Sequence, residues 1–272
     1  MRRFLIDILN RSGLFQFVQD AYQRLKYAMN FSLKAENRRF VKMGAPDGLP
    51  LPPPQMINLV AGHFNVKEFY ENGLLGANCI RNNLEKNNLD MEGFSSILDF
   101  GCGCGRIIRH WKTLREPKVY GSDYNKRLVQ WCFKNLPFAE FKVNGPCPPL
   151  VYRNETFMFI YAISVFTHLS ANLQKPWMQE LWRVLQPGGY LLMTVHGESR
   201  LQQLRPEDRV KFNAGHLITI RDKYSGTNIC GAFHPQKFVR EILAKGFIFI
   251  DFLSLGAKDA NQDMYLLRKP EG

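Results

Sequence analysis

Between residues 96 and 195, short apolar runs alternate with segments of helical periodicity, and this limits the fold more than any other feature of the chain. SILDF at 96–100, KVYG at 118–121, EFKV at 140–143, TFMFIY at 156–161 and YLLMTV at 190–195 read as strands. RIIRHWKTL at 106–114, KRLVQWCFKN at 126–135 and NLQKPWMQELWRVL at 172–185 read as helices. Strands separated regularly by helices form βαβ units, whose parallel sheet is covered on both faces. The expected fold class is therefore α/β, a doubly wound Rossmann-like sheet. A chain of 272 residues, 45% hydrophobic and 13% aromatic, has ample apolar material for such a core.

Outside the alternation the organisation changes. MGAPDGLPLPPPQ, 43–55, holds five prolines and two glycines and reads as a linker. Before it, residues 1–42 carry nine Lys or Arg against three acids, so half of the chain's net charge of +12 falls there. Phe4, Ile8, Phe15, Val18, Tyr22, Leu25 and Met29 recur at three- and four-residue steps, the pattern of two basic amphipathic helices broken near Ser12 and Gly13. Such an arm suits docking on its own domain, dimerisation, or peripheral contact with an anionic membrane. The remaining charge forms no stripe, so nucleic acid is a minor option. Residues 56–89 read as helical, with Phe69, Leu74, Leu75, Ile80 and Leu84 on one stripe. Asp7 interrupts the first apolar run and TFMFIYAISVFT is too short to span a bilayer, which predicts a cytoplasmic, at most membrane-peripheral, protein.

Ligands of doubly wound sheets bind at the carboxyl ends of the strands, and the first strand-to-helix turn usually carries the glycines. Here that turn is ILDFGCGCGR, 97–106, in which Gly101, Gly103 and Gly105 allow a sharp bend and Cys102 and Cys104 fill the wall. A C-x-C pair without a second pair or a histidine at ligand spacing predicts no metal. The third glycine comes one residue too early for a G-x-G-x-x-G dinucleotide turn, which weighs against a nicotinamide-dependent oxidoreductase.

With Asp99 the turn reads D-x-G-x-G-x-G, and it resembles that of class I S-adenosylmethionine-dependent methyltransferases. VYGSDYN with Asp123, FKVNG with Asn144, FMFIYAISVFTHL, and ELWRVLQPGGYLLMTVHG with its Pro187-Gly188-Gly189 turn resemble that family's successive motifs over residues 94–197. FHPQKFVREILAKGFIFIDFLSLG and QDMYLLRKP resemble its last helix and final hairpin. The resemblance implies a seven-stranded sheet with an antiparallel last strand, an N-terminal helical extension before a domain over 56–272, and S-adenosylmethionine as cofactor. It implies that Asp123 accepts the ribose hydroxyls, Asn144 reads the adenine amino group, and Asp99 or the turn's carbonyls hold the ammonium. Arg106 is the candidate partner of the carboxylate, and Gly101, Cys102, Gly103, Tyr124, Gly145 and Ala162 complete the predicted pocket.

Methyl transfer to a hydroxyl or amine needs a positioned acceptor and a base. His196 and His168 lead the candidates at the ends of the fifth and fourth strands, followed by His234 and, last, His216. Residues 198–233 exceed an ordinary connection and read as a cap hairpin around Ser225 and Gly226, with Arg221, Lys223, Tyr224 and Asn228 facing the acceptor. Tyr161-Ala162-Ile163-Ser164 lacks the Asn/Asp-Pro-Pro-aromatic motif of DNA amino-methyltransferases, so the expected acceptor is a small molecule, a saccharide or glycan, or a lipid-linked acceptor, as in the bacterial small-molecule or cell-surface glycan branch that the pattern resembles. The competing reading is a catalytically silent scaffold subunit that keeps the fold and the cofactor.

Overall fold

The computed structural model describes residues 15–271, with side chains from residue 21. The expected break near Ser12 and Gly13, with Phe4 and Ile8, lies outside the described residues, as do the side chains of Phe15 and Val18. The chain forms two compact units, residues 1–68 and 69–272. In the first, helices α1 (Phe15–Met29), α2 (Phe31–Met43) and α3 (Pro54–Ala61) precede α4 (Val66–Lys86), which enters the second unit. The described part of the arm is broken at Asn30, whose side chain accepts from the Leu33 amide at 2.9 Å and caps α2. Asn37 is the polar pin of this unit: its Nδ2 donates to the Phe64 carbonyl at 2.8 Å, and its Oδ1 accepts from the Val66 amide at 2.9 Å.

In the second unit the strands are β1 (Ser96–Phe100), β2 (Lys118–Asp123), β3 (Glu140–Val143), β4 (Phe157–Ala162), β5 (Leu185–Val195), β6 (Ile218–Ile220), β7 (Gly231–Phe233), β8 (Ile248–Ala257) and β9 (Gln262–Arg268). The main sheet has seven strands in the order β3-β2-β1-β4-β5-β9-β8. β3 to β5 pair in parallel, and β9 runs antiparallel to both β5 and β8. The order reverses between β1 and β4, which puts the ends of β1, β2 and β4 around one crevice. Helices α5 (Lys126–Asn135) and α6 (Ala171–Val184) follow β2 and β4. The larger core joins Leu98, Ile160 and Leu191 of the sheet to Trp177 and Leu181 of α6 and to Leu243.

Several elements differ from expectation. The helix expected over 106–114 is a single 3₁₀ turn, Ile108–Trp111, because the positive-φ backbone of Gly101, Gly103 and Gly105 holds the chain in turns up to it. The stretch expected to be helical from Met56 is two helices, ended and restarted at Gly62 in a left-handed C-cap. Leu74 and Leu75 of the expected apolar stripe are exposed, whereas Phe69, Gly73, Ala77, Ile80 and Leu84 are buried. Glycine selects that face, since a Cβ on Gly73 would lie 2.1 Å from the Arg106 carbonyl oxygen. Pro187-Gly188-Gly189 is not a turn before β5 but part of it, where the register against β4 shifts. The last helix is short, Gln236–Phe238 passing into a π turn, Val239–Leu243.

The carboxyl end of α6 is closed by a buried cation from the end of the chain. Lys269 Nζ donates to the Trp182 and Leu185 carbonyls at 3.0 and 2.8 Å, satisfying acceptors that the helix leaves open and opposing its dipole. Lys269→Met strands these buried carbonyls. Chemical denaturation is expected to show a loss of about 2 kcal/mol, with the circular dichroism of the folded protein unchanged.

Candidate functional site

The glycine turn is fastened to the neighbouring strand by backbone and carboxylate together. The amides of Gly101 and Cys102 both donate to the Ser122 carbonyl, at 2.7 and 3.1 Å. Asp123, buried at the end of β2, accepts the Gly103 amide on Oδ2 at 3.0 Å and the Asn125 amide on Oδ1 at 2.8 Å. Each oxygen thus accepts one backbone amide, Oδ2 from the turn and Oδ1 from Asn125, and has a second lone pair, the arrangement a vicinal diol can bridge. The glycines are required sterically: a Cβ on Gly101, at φ +83°, would meet Val165 at 2.4 Å, and one on Gly121 would meet the Phe141 ring at 2.6 Å. Burial raises the Asp123 pKa, although both amides oppose the shift.

Asp99 lies at the end of β1 and is only 4% exposed. Burial pushes its pKa up to about 7, against the opposing pull of the Tyr161 hydroxyl, Arg106 and the Ile108 amide, while Asp123 adds to the rise. The Trp111 indole donates to the Tyr161 hydroxyl at 2.8 Å, which fixes that hydroxyl. Asp99 is therefore a carboxyl poised between its two forms at neutral pH, and a ligand ammonium would favour the ionised one. Arg106 is engaged elsewhere in the fold. Its Nη1 lies 2.6 Å from Asp259 Oδ2, and Asp259 is 1% exposed in the turn between β8 and β9.

Asn144, at the end of β3, is also buried; its Oδ1 accepts from Ser122 Oγ at 2.7 Å and its Nδ2 donates to the Gly145 carbonyl at 2.7 Å. Ala162 is buried at the end of β4, and Cys102 is buried in the turn. The hydrogen bond with the neighbouring Cys132 thiol, and burial after it, hold the Cys102 pKa well above its ordinary value. Among the described residues no group of three His, Cys, Asp or Glu is placed to hold a metal ion.

The expected cap hairpin is present as β6 and β7, but the segment also contains helix α7 (Pro206–Asn213), which periodicity in a short charged stretch did not reveal. Its Phe212 packs with Leu204, Ile218 and Phe233 in a small core of its own. The loop between the strands is clamped over the strand ends. Gly226 donates its amide to the His168 carbonyl at 2.7 Å, Tyr124 donates its hydroxyl to the Gly226 carbonyl at 2.8 Å, and Ser225 Oγ accepts the Ser170 amide at 2.9 Å. Arg221, Lys223 and Asn228 of this loop are exposed, and Tyr224 is buried.

His168 and His196 come together at the ends of β4 and β5, with ring centroids 6.5 Å apart. His168 Nδ1 lies 2.8 Å from the Cys230 carbonyl. That oxygen only accepts, so Nδ1 carries the proton and Nε2 the lone pair. Burial lowers the His168 pKa. The His196 pKa is lowered to about 4, chiefly by burial, with the neighbouring His168 ring and Arg200 adding to the shift. Gln262 Nε2 stands 3.4 Å from His196 Nε2, while Gln262 Oε1 accepts the hydroxyls of Thr194 and Ser164 at 2.6 and 3.1 Å. This polar relay joins three strand ends and was invisible in the sequence, where Gln262 is an ordinary residue of the last strand.

His234 leaves the group of candidate bases. It is fully buried, its Nε2 lies 3.0 Å from Gln174 Oε1, and burial pushes its pKa down to about 3. Gln174 in turn donates to the Phe166 and Leu169 carbonyls, so His234 is part of the scaffold that fixes the turn after β4. His216 is exposed on the loop after α7.

Residues 98–193 match the methyltransferase domain family. The chain is 30% identical over 125 residues to the tRNA N(3)-methylcytidine methyltransferase trm140 of Schizosaccharomyces pombe, covering 42% of this chain and 40% of that protein. It is 26% identical over 130 residues to the malonyl-[acyl-carrier protein] O-methyltransferase of Salmonella typhimurium, covering 45% of this chain and 47% of that one. The crystal structure of a SAM-dependent methyltransferase of Methanosarcina mazei superposes with a TM-score of 0.52 at 21% identity, over 69% of this chain and 98% of that one. Residues 98–193 thus match a methyltransferase domain, and the sheet around them has the fold of that solved S-adenosylmethionine-dependent methyltransferase. The chain spans less than half the length of these curated relatives.

The donor set fits S-adenosylmethionine: Asp123 would accept a diol, and Asp99 is a buried carboxyl that would face an ammonium. Asp123→Asn is expected to weaken S-adenosylmethionine binding by roughly 10- to 100-fold in calorimetry, the loss of a charge-assisted hydrogen-bond pair. Because Asp99 titrates near pH 7 in the free protein and a bound ammonium lowers its pKa, binding at that pH releases protons. Calorimetry in buffers of different ionisation enthalpy should show this release, and Asp99→Asn should abolish it.

Proposed function

We infer that this methyltransferase methylates a hydroxyl or amine of a small organic or glycan acceptor, free or lipid-linked, held between the clamped 221–230 loop and the ends of β4 and β5, with His168 as general base. The observation that carries the reading is the 2.8 Å contact from His168 Nδ1 to the Cys230 carbonyl, which leaves the Nε2 lone pair as the acceptor of a proton. S-adenosylmethionine supplies a methyl group already activated on a sulfonium, so the protein's share is positioning and proton removal. Burial keeps His168 neutral below the usual imidazole range. His196 positions the site: its lone pair faces the Gln262 amide, and that amide ties it to Thr194 and Ser164.

In this reading Asp123 holds the ribose hydroxyls and Asp99 the ammonium. Asn144 Oδ1 accepts from Ser122 with one lone pair and keeps the other for the adenine amino group. Arg106, neutralised by Asp259, braces the turn from outside. Tyr124 serves the cap, through Gly226, as much as the cofactor. The domain organisation that goes with this function is a basic arm over 1–42, the proline-rich 43–55 stretch, and a catalytic domain over 56–272 whose cap is 198–233.

An RNA acceptor is the second reading, favoured by the relative of S. pombe whose name specifies tRNA. Methyl-donor consumption against a panel of phenols, sugars, lipid-linked sugars and tRNA separates the two, and turnover on any of them removes the silent-scaffold alternative. With the productive acceptor in hand, His168→Ala is expected to lower kcat by about 10²- to 10⁴-fold, the usual range for losing a general base, with cofactor affinity intact. Since the base is the neutral imidazole and its pKa is lowered, kcat/KM for the acceptor at saturating S-adenosylmethionine should fall on the acid side with a midpoint below the ordinary imidazole value. A variant that retains the native kcat would refute the base assignment.

A further inference from the structure

Helix α1 is turned outward. Its Tyr27 stacks on Phe64, with ring centroids 4.6 Å apart and planes 8° from parallel. Tyr22, Leu25 and Met29, at three- and four-residue steps on the opposite side of the helix, are 61%, 59% and 67% exposed. Tyr27, whose hydroxyl also accepts from Asn37, makes this contact, and Tyr22, Leu25 and Met29 are left bare. Helix α2 repeats the pattern with charge added: Phe31, Val41 and Met43 are all more than half exposed. The Lys34 ammonium sits 5.4 Å over the Phe31 ring. Residues 15–43 carry six basic residues against two acids.

We propose that the exposed face of α1 and α2 seats the protein on an anionic lipid surface, with Tyr22, Leu25, Met29 and Phe31 entering the headgroup–acyl boundary and the flanking lysines and arginines pairing with phosphates. Each half of the face argues for this occupant. Bare leucine, methionine and valine gain nothing from a polyanion in water but gain from hydrocarbon, while the basic flanks are drawn to an anionic leaflet. A second copy of the same face would bring like charge against like charge. No helix among the described residues is long and apolar enough to cross a membrane, so the face lies on the surface. Long basic side chains extend their charged ends towards phosphate while their methylenes line the apolar stripe.

The test is co-sedimentation of the full chain with vesicles and is read without turnover, so it stands apart from the methyl-transfer reading. The native protein should pellet with mixed phosphatidylglycerol–phosphatidylcholine vesicles, weakly with pure phosphatidylcholine, and less as salt rises. Leu25→Glu combined with Met29→Glu alters only exposed positions, so circular dichroism should be unchanged while the partition coefficient falls at least about tenfold. Arg38→Gln combined with Arg39→Gln should lower binding to the anionic vesicles and leave binding to neutral ones as it was. Equal binding to both vesicle types, or native-like binding by the Leu25/Met29 variant, would overturn the proposal. So would a Leu25/Met29 variant whose lipid-free mass drops from dimer to monomer, or one that loses binding to structured RNA and keeps binding to lipid.

Discussion

The carboxylate of Asp123, buried at the end of β2 and bonded to the amides of Gly103 and Asn125, organises the rest of the site. With the Ser122 carbonyl, which accepts the Gly101 and Cys102 amides, it holds the glycine run in a fixed turn. Burial raises the pKa of this group and of Asp99 one strand away, a cost that an apolar sheet end imposes on any acid placed there. A fold that retains two such acids within electrostatic reach of each other gains from a cationic, hydroxyl-bearing ligand what it loses in their desolvation. S-adenosylmethionine, with its ammonium, sulfonium and ribose diol, has that character.

Helix α4 shows how packing and site are linked. Its Gly73 and Gly76 face the turn, where an added Cβ would lie 2.1 Å from the Arg106 carbonyl oxygen and 2.8 Å from Asp259 Oδ2. The helix can approach the glycine turn this closely only through residues without side chains, and the Arg106–Asp259 pair closes the same corner from the β8–β9 turn. On the far side of the strand ends, the cap loop is held by backbone groups of Gly226 and Cys230 against Tyr124 and His168. One of those clamps also sets the tautomer of His168, so the position of the loop and the orientation of that ring are one contact.

The alternation of apolar runs and helical periods made the parallel sheet legible, because strands such as 157–162 are buried on both faces and leave no polar residue to interrupt them. The glycine turn and the acids at the ends of β1 and β2 were legible because their chemistry is local. Three features were not. The 106–114 stretch has helical periodicity, but the turns held by Gly101, Gly103 and Gly105 leave it a single 3₁₀ turn. The buried face of α4 is marked by small residues, which a search for large apolar ones passes over. The exclusion of His234 and the link from Gln262 to His196 depend on contacts across 60 and 66 residues of chain, which no spacing records.

A crystal structure of the full chain with S-adenosylhomocysteine tests the central claim most directly. The account predicts both ribose hydroxyls on Asp123, the ammonium against Asp99 and the glycine turn unchanged in its backbone. Electron density for the ligand away from the ends of β1 and β2, or a diol held by residues other than Asp123, would contradict it.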